Sequence, residues 1–548
     1  MHRRALQVAG VIGLFISGVT CMVASEPEEG RDRSNGTGAT GEASGGYDGP
    51  TKSGVHSANT TSAPVPGAGG SGGAGGDINQ GGQGGAGGNK VEIPAECEVK
   101  VKETFTATLA VEDTNAYASP AYVREILKSD SNDAPSLNLI KGHEFFNYYA
   151  LPYAGPGNLP VGITAGMREV GPGEYRFLVG VTAPQATARP RVNVAIVVDT
   201  SISMTVAAMV RARAIARAIG KSLNEGDVVS LVTWNPDVLP KPAGLVVSGP
   251  DDPAFTSAVD ALYADGGSDL QAGLVRGYEL VEKSFDPVAL NRVVFISDGR
   301  VTLGTWEEDI VRSHAQSSDG KNVLLVGAAT GPGPGYDDSM MTKMTAAGLG
   351  SYVYVDSELE AARLFHERFD EVMGEPYYDN VTLSLAVPGI LSMPEVDEDS
   401  GSYTLDPATV VGRPLAPGDS VTFNHVMQAC HPLVINASYD HTVNIAIAWR
   451  KRGTGETQTT ETKLTIGELM SSTHPGIEKA NAIALYVDAL QSVGGGGDPK
   501  VLGLAWTAID EINSKSFKPD ASKPGDPELE EILGLLKRHP KYSVPAQQ

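Results

Sequence analysis

Hydrophobic positions along the chain change rhythm three times. Phe105 to Val111 has strand spacing, and Tyr122 to Lys128 carries a helical pattern. Tyr175, Phe177, Val179 and Val181 alternate with Arg176, Leu178 and Gly180, which predicts a half-buried strand. From Asn193 the alternation gives way to continuous apolar runs. Val194 to Val198, Val228 to Trp234, Val293 to Ile296, Val323 to Val326 and Tyr352 to Val355 predict strands, the apolar runs among them buried on both faces. Helical patterns lie between them at Val206 to Leu223 and Leu270 to Lys283, and a long amphipathic helix is predicted over Glu358 to Met373. Strands alternating with helices predict βαβ units around a mostly parallel sheet. After Gly374 the texture returns to strands, at Val381 to Val387, Val421 to Met427, Val443 to Trp449 and Glu461 to Ile466. The end of the chain is helical, at Gly476 to Val493, Leu502 to Asn513 and Pro527 to Arg538.

These patterns predict an α/β fold class: a Rossmann-like parallel-sheet domain flanked by a β-sandwich and a C-terminal helical segment. The boundaries are 1–25 for a signal peptide, 26–90 for a Gly-rich linker and 91–189 for an N-terminal β-rich flank. The α/β domain spans 190–373, a second β-rich flank spans 374–470, and the helical segment spans 471–548. The two flanks are expected to form one sandwich from which the α/β domain emerges. The helical segment would pack on that body or form a small bundle.

Composition alters the picture mainly at the start of the chain. Met1 to Arg4 is basic, and the apolar stretch from Ala5 to Val19 is short for a bilayer span but suits an export signal. An uncleaved N-terminal anchor is the competing reading. Cys21 stands where a bacterial lipoprotein signal places its lipidated cysteine, although Thr20 replaces the usual Gly or Ala before it. Lipidation and ordinary cleavage nearby are both open. Residues 26 to 90 hold many of the 65 glycines and almost no large apolar side chain, so ordering them has nothing to offset its entropy. They are expected to act as a flexible tether.

Charge and cysteine usage narrow the partners and the compartment. Lys and Arg number 42 against 66 Asp and Glu, a formal net charge of -24, which argues against nucleic acid as a partner. Beyond Cys21, only Cys97 and Cys430 remain, one on each β-rich flank. An exported chain with two such cysteines predicts one disulfide between them, against the alternative of two buried thiols.

The candidate chemistry sits at a strand end. Asp199-Thr200-Ser201-Ile202-Ser203 follows the apolar run Val194 to Val198, and spacings of two and four can turn the Asp199, Ser201 and Ser203 oxygens to one side. Open α/β sheets place their ligands at the carboxyl ends of strands. Hard oxygen donors of this kind suit Mg²⁺ or Mn²⁺. Two further loops could complete the cluster: Gly266-Gly267-Ser268-Asp269, which opens a helix, and Ser297-Asp298-Gly299, which ends a buried strand.

Taken together, these motifs resemble the metal-ion-dependent adhesion site of von Willebrand factor type A (VWA) domains. The resemblance implies Asp199, Ser201, Ser203, Ser268 and Asp298 as ligands of Mg²⁺, with Mn²⁺ or Ca²⁺ as alternatives. Two positions depart from the family pattern: Ile202 replaces the usual Gly between the serines, and Ser268 replaces the common Thr. Val111 to Tyr117 and Glu144 to Tyr149 are similar to segments that precede the domain in bacterial envelope VWA proteins, many of them lipoproteins.

The resemblance implies a binding protein rather than an enzyme, in which a carboxylate of a protein partner completes the metal's coordination. It also implies an exported place in the cell envelope, periplasmic or on the outer surface, with membrane contact through a lipid anchor if Cys21 is modified. A metal-dependent hydrolase is the enzymatic alternative, and a structural envelope component with a vestigial site is the third. Other motifs carry less. The basic helix bearing Arg211, Arg213, Arg217 and Lys221 reads as a solvated face, and Gly331 to Gly335 lacks the Gly-Lys-Ser/Thr of a phosphate loop. No His-Glu-x-x-His zinc motif is present, and no Gly-x-Ser-x-Gly elbow lies in a strand–turn–helix context.

Overall fold

In the computed structural model the described residues run from 95 to 544, except 111–114, 236–237, 267–268, 301–304, 332–337, 394–402, 405–411, 433, 436–437, 453, 519 and 521–523. The export signal, the Gly-rich linker and Cys21 therefore lie outside the described residues, as does Ser268.

The chain opens with β1 (Thr104–Leu109), β2 (Asn115–Ala116), α1 (Ala118–Lys128), α2 (Gly142–Tyr148), β3 (Gly162–Gly171) and β4 (Glu174–Thr182). The α/β segment follows as β5 (Val192–Val198), α3 (Val206–Ser222), β6 (Val228–Thr233), β7 (Leu245–Val246), α4 (Pro253–Asp260) and α5 (Leu270–Lys283). It continues through β8 (Leu290–Ser297), α6 (Thr305–Ala315), β9 (Leu324–Ala329), α7 (Asp338–Ala347), β10 (Ser351–Tyr354), α8 (Glu358–Ala362) and α9 (Phe369–Met373). Next come β11 (Tyr378–Pro388), β12 (Leu391–Ser392), β13 (Tyr403–Thr404), β14 (Arg413–Leu415), β15 (Ser420–Ala429), β16 (Thr442–Lys451) and β17 (Thr457–Thr465). Four helices close it: α10 (Ile466–Ser471), α11 (Pro475–Gly494), α12 (Lys500–Ile512) and α13 (Pro527–Arg538).

The α/β sheet has the order β2-β10-β9-β8-β5-β6-β7. Every pairing is parallel except β6 with the short β7. β5 and β8 are buried along their whole length, as apolar runs covered by helices on both faces should be. From β5 the chain crosses through α3 to β6 on one side, whereas from β8 it crosses through α6 to β9 on the other. The two connections diverge, so a crevice opens above the carboxyl ends of β5 and β8.

Two antiparallel sheets form the sandwich. One contains β13-β1-β11-β16-β17 with β14 paired to β11, and the other runs β12-β15-β4-β3. Their inner faces share a core that includes Phe177, Val179, Leu383, Leu385, Phe423, Ile445 and Ile447. β16 alternates buried and half-buried positions, the signature of a strand with one covered face. A disulfide joins Cys97, ahead of β1, to Cys430, just past β15, with the Cα atoms 5.9 Å apart.

Three expectations change. β4, predicted half-buried, is buried from Tyr175 to Val181. Helix α11 covers its outer side: Leu178 belongs to the same core as Ile477 and Tyr486, and Arg176 pairs with Asp488. Residues 115–148, predicted within a β-rich flank, instead complete the α/β body. β2 adds a parallel edge strand beside β10, and α1 and α2 pack into the large core. The single helix predicted over Glu358 to Met373 is α8, a π-helical turn at Arg363–Glu367, and α9. This break lets Arg363 and Arg368 both donate to the Tyr148 carbonyl. Among the described residues no helix is long and apolar enough to cross a membrane.

Candidate metal site

The register of the parallel sheet places the site. Val198 lies opposite Ile296, and the Asp199 amide donates to the Ile296 carbonyl at 2.8 Å. Asp199 therefore leaves β5 beside Ser297 and Asp298 at the end of β8, in the crevice where the crossovers diverge. Positive-φ glycines turn the chain here: Gly299 (φ 72°) follows Asp298, and Gly266 (φ 86°) follows Asp265. The Asp265 and Gly266 amides both donate to the Thr200 carbonyl, at 3.1 and 3.0 Å. That brings the loop leading to Ser268 against the Asp199 turn.

Asp199 is fully buried. Its Oδ1 accepts from the Ser201 amide at 2.8 Å, and its Oδ2 accepts from Ser297 Oγ at 2.9 Å. The Ser201 and Ser203 hydroxyls lie 2.9 Å apart. Burial pushes the Asp199 carboxyl up to about 6, against the pull of its serine hydrogen bonds, and the Asp298 charge raises it further. Asp298 is buried too. Its Oδ1 accepts from the Arg300 amide at 3.2 Å, whereas its Oδ2 has no hydrogen-bond partner among the described residues and lies 3.7 Å from Arg300 Nε. Thr200 Oγ1 is likewise buried without a partner there.

The donor set fits a hard divalent cation. Two carboxylates stand at adjacent strand ends with two adjacent hydroxyls on the Asp199 turn, a carboxylate oxygen has no hydrogen bond among the described residues, and a buried acid disfavours its own ionised form. A cation would relieve both. Two carboxylates just balance a divalent charge, and leaving other positions to hydroxyls and water is the habit of Mg²⁺. Among the described residues no three His, Cys, Asp or Glu side chains cluster as a metal site, so hydroxyls must supply part of any coordination.

Four of the five predicted ligands are described: Asp199, Ser201 and Ser203 on one turn and Asp298 on the adjacent strand end. Ile202 points away, 92% exposed. Ser297 was missed as a contributor, although it stands in the Ser-Asp-Gly strand end. Its hydroxyl holds Asp199, accepts from the Gly299 amide at 3.1 Å, and its carbonyl accepts from the Thr330 amide at 3.0 Å. Arg211 donates to the Thr330 carbonyl and pairs with Glu125, so this residue of the basic helix α3 is committed inside the fold.

Among known proteins, YfbK of Escherichia coli K12, itself uncharacterised, is 26% identical over 188 residues, which is 34% of this chain and 32% of that protein. The chain thus spans about a third of that relative's length. Among solved structures, a von Willebrand factor type A protein from Catenulispora acidiphila aligns with 73% of this chain and 99% of its own, at 16% identity and a TM-score of 0.39. The ArnB paralog VWA2 of Sulfolobus acidocaldarius aligns with 69% of this chain and 96% of its own, at 14% identity and a TM-score of 0.33. The family model of the von Willebrand factor type A domain matches residues 194–300, from the middle of β5 through the Asp298 loop. This chain carries a von Willebrand factor type A domain.

Proposed function

We propose that the protein is an exported, envelope-associated binding protein that holds a partner through a metal at the Asp199 crevice. Asp199, Ser201, Ser203 and Asp298 would hold Mg²⁺, with Ser268 as the fifth protein ligand. The metal supplies an open coordination position for a carboxylate on a protein partner. The observation that carries this reading is the buried Asp199 carboxyl beside an Asp298 oxygen that has no hydrogen-bond partner among the described residues. Ser297 orients Asp199, and the Thr200 carbonyl holds the 265–266 turn in place. The Cys97–Cys430 disulfide supports export, because such a bond persists in an oxidising compartment. Attachment through residues 1–25, and lipidation at Cys21, belong to the same proposal.

The test is thermal melting of the purified chain with and without Mg²⁺. The wild type should melt higher with the metal, and Asp199→Ala should lose that shift while staying folded. Equal metal-induced shifts in the two proteins would remove the site.

A further inference from the structure

A second feature opens beside the metal loops. A cavity of about 460 Å³ lies between β6 and the segments around 238–241 and 258–265. Its wall includes Thr233, which pairs in register with Val198, the residue before Asp199. It also includes Asp265, whose amide holds the Thr200 carbonyl. The cavity and the metal crevice thus share a wall. Leu239 and Tyr263 line it and stand 72% and 67% exposed, with Val238 beside them at 46%. Large apolar side chains gathered over a concavity mark a binding surface, unlike apolar residues scattered singly.

We propose that this cavity receives a bulky apolar side chain from the same partner segment whose carboxylate completes the metal site. The proposal rests on the metal reading above and names the partner's chemistry: an extended peptide segment with an acidic residue and an apolar residue close in sequence. Charge favours it locally. Lys241 lines the cavity, is exposed, and makes no ion pair among the described residues, while the acid in the wall, Asp265, already accepts from Asn235 at 3.2 Å, so Lys241 offers an acidic segment a cation. Spacing favours it as well. β6 and β8 flank β5, and adjacent strands lie about 4.8 Å apart, so the crevice and the cavity are separated by roughly 7–10 Å. An extended peptide rises about 3.3 Å per residue and repeats its facing every second position, which places the two anchors two residues apart.

The experiment is panning of the full chain against a random linear peptide library displayed on phage, in Mg²⁺, with elution by EDTA. Enriched peptides should pair Asp or Glu with Leu, Ile, Met or Phe two positions away. A synthetic peptide of that pattern should lose about tenfold in affinity for the Leu239→Ser/Tyr263→Ser variant, as expected for one desolvated apolar side chain, and less for Lys241→Glu. Metal-dependent peptides without an apolar preference, or binding indifferent to the double variant, would overturn the cavity's role and leave the metal reading intact. Peptides that bind Asp199→Ala as well as wild type would instead defeat the metal reading, and this proposal with it. Self-association that the double variant abolishes, without peptide enrichment, would assign the face to a second copy of the chain and overturn the proposal.

Discussion

Arg124 and Asp199 are both buried charges, each set among elements far apart in sequence, yet their surroundings differ. The Arg124 guanidinium donates to Asp356 at 2.6 and 2.7 Å, to Glu360 at 2.9 Å and to Tyr148 at 2.5 Å, with Glu531 at 3.6 Å. Nearby, Lys479 holds Asp526 and Glu528 at 2.7 Å, and Arg363 pairs with Glu528. This cluster ties α1, α8 and α13 together and draws its counter-charges from within the chain, although Glu360 Oε1 has no hydrogen-bond partner among the described residues. Around Asp199 the nearby charge is another acid, the hydrogen bonds come from serines, and one Asp298 oxygen has no hydrogen bond among the described residues, with Arg300 Nε 3.7 Å from it. Burying a charge is costly unless it is paired. A cluster whose acids hold cations at hydrogen-bond distance is part of the architecture, and one whose cation stands off at 3.7 Å leaves room for a charge from outside.

The largest way to break this contrast is Arg124→Ala. It takes the guanidinium from buried Glu360 and half-buried Asp356, and should cost about 3–5 kcal/mol of stability in urea denaturation. A loss under about 1 kcal/mol would mean the cluster is no better satisfied than the Asp199 crevice. Next comes the joint replacement Cys97→Ser and Cys430→Ser, which frees the two ends of the sandwich. Removing a crosslink across 333 residues should cost about 2–5 kcal/mol in the same assay, unless strain in the native state offsets it. The opposite sign is expected at Asp199. In metal-free buffer Asp199→Asn should leave stability within about 1 kcal/mol of wild type or raise it, since a buried charge is removed. Wild type should gain about 2–3 kcal/mol at a Mg²⁺ concentration near a hundred times Kd, and the variant nothing.

The smallest effect is a pH dependence in the sandwich. His425 on β15 is partly buried, and desolvation lowers its imidazole from 6.5 to about 4. The unfolded chain therefore takes up the proton first. This contribution to stability is complete above pH 6.5 and is lost as pH falls toward 4. Partial exposure reduces the effect to about 1–2 kcal/mol. His425→Gln should flatten the stability profile in that window, and an unchanged slope would place the acid sensitivity elsewhere.

How legible each part was depends on the range of the forces that form it. The parallel strands could be read because their pattern is local: four or five apolar residues between helical stretches have few alternatives to a doubly covered strand. The Asp199 turn could be read for the same reason, since Asp199, Ser201 and Ser203 share one stretch and their spacing is fixed by covalent geometry. Asp298 depended on the pairing of β5 with β8; the βα alternation could offer its strand end as a candidate, and the family resemblance named it as a ligand. Ser297 went unassigned because its role is visible only once the two strand ends lie side by side.

What the sequence determined by itself was the succession of elements and the oxygen-rich turn at the end of β5, because backbone periodicity and side-chain spacing act within a few residues. Tertiary structure alone decided that Asn115–Ala116 extends the parallel sheet and that α11 buries the outer side of β4. It also decided that Arg124 meets acids 232 to 407 positions away, and that Leu239 and Tyr263 flank a cavity next to the Asp199 turn. The physical reason is that burial, charge pairing and cavity shape are set by which distant segments pack together, and no local pattern carries that information.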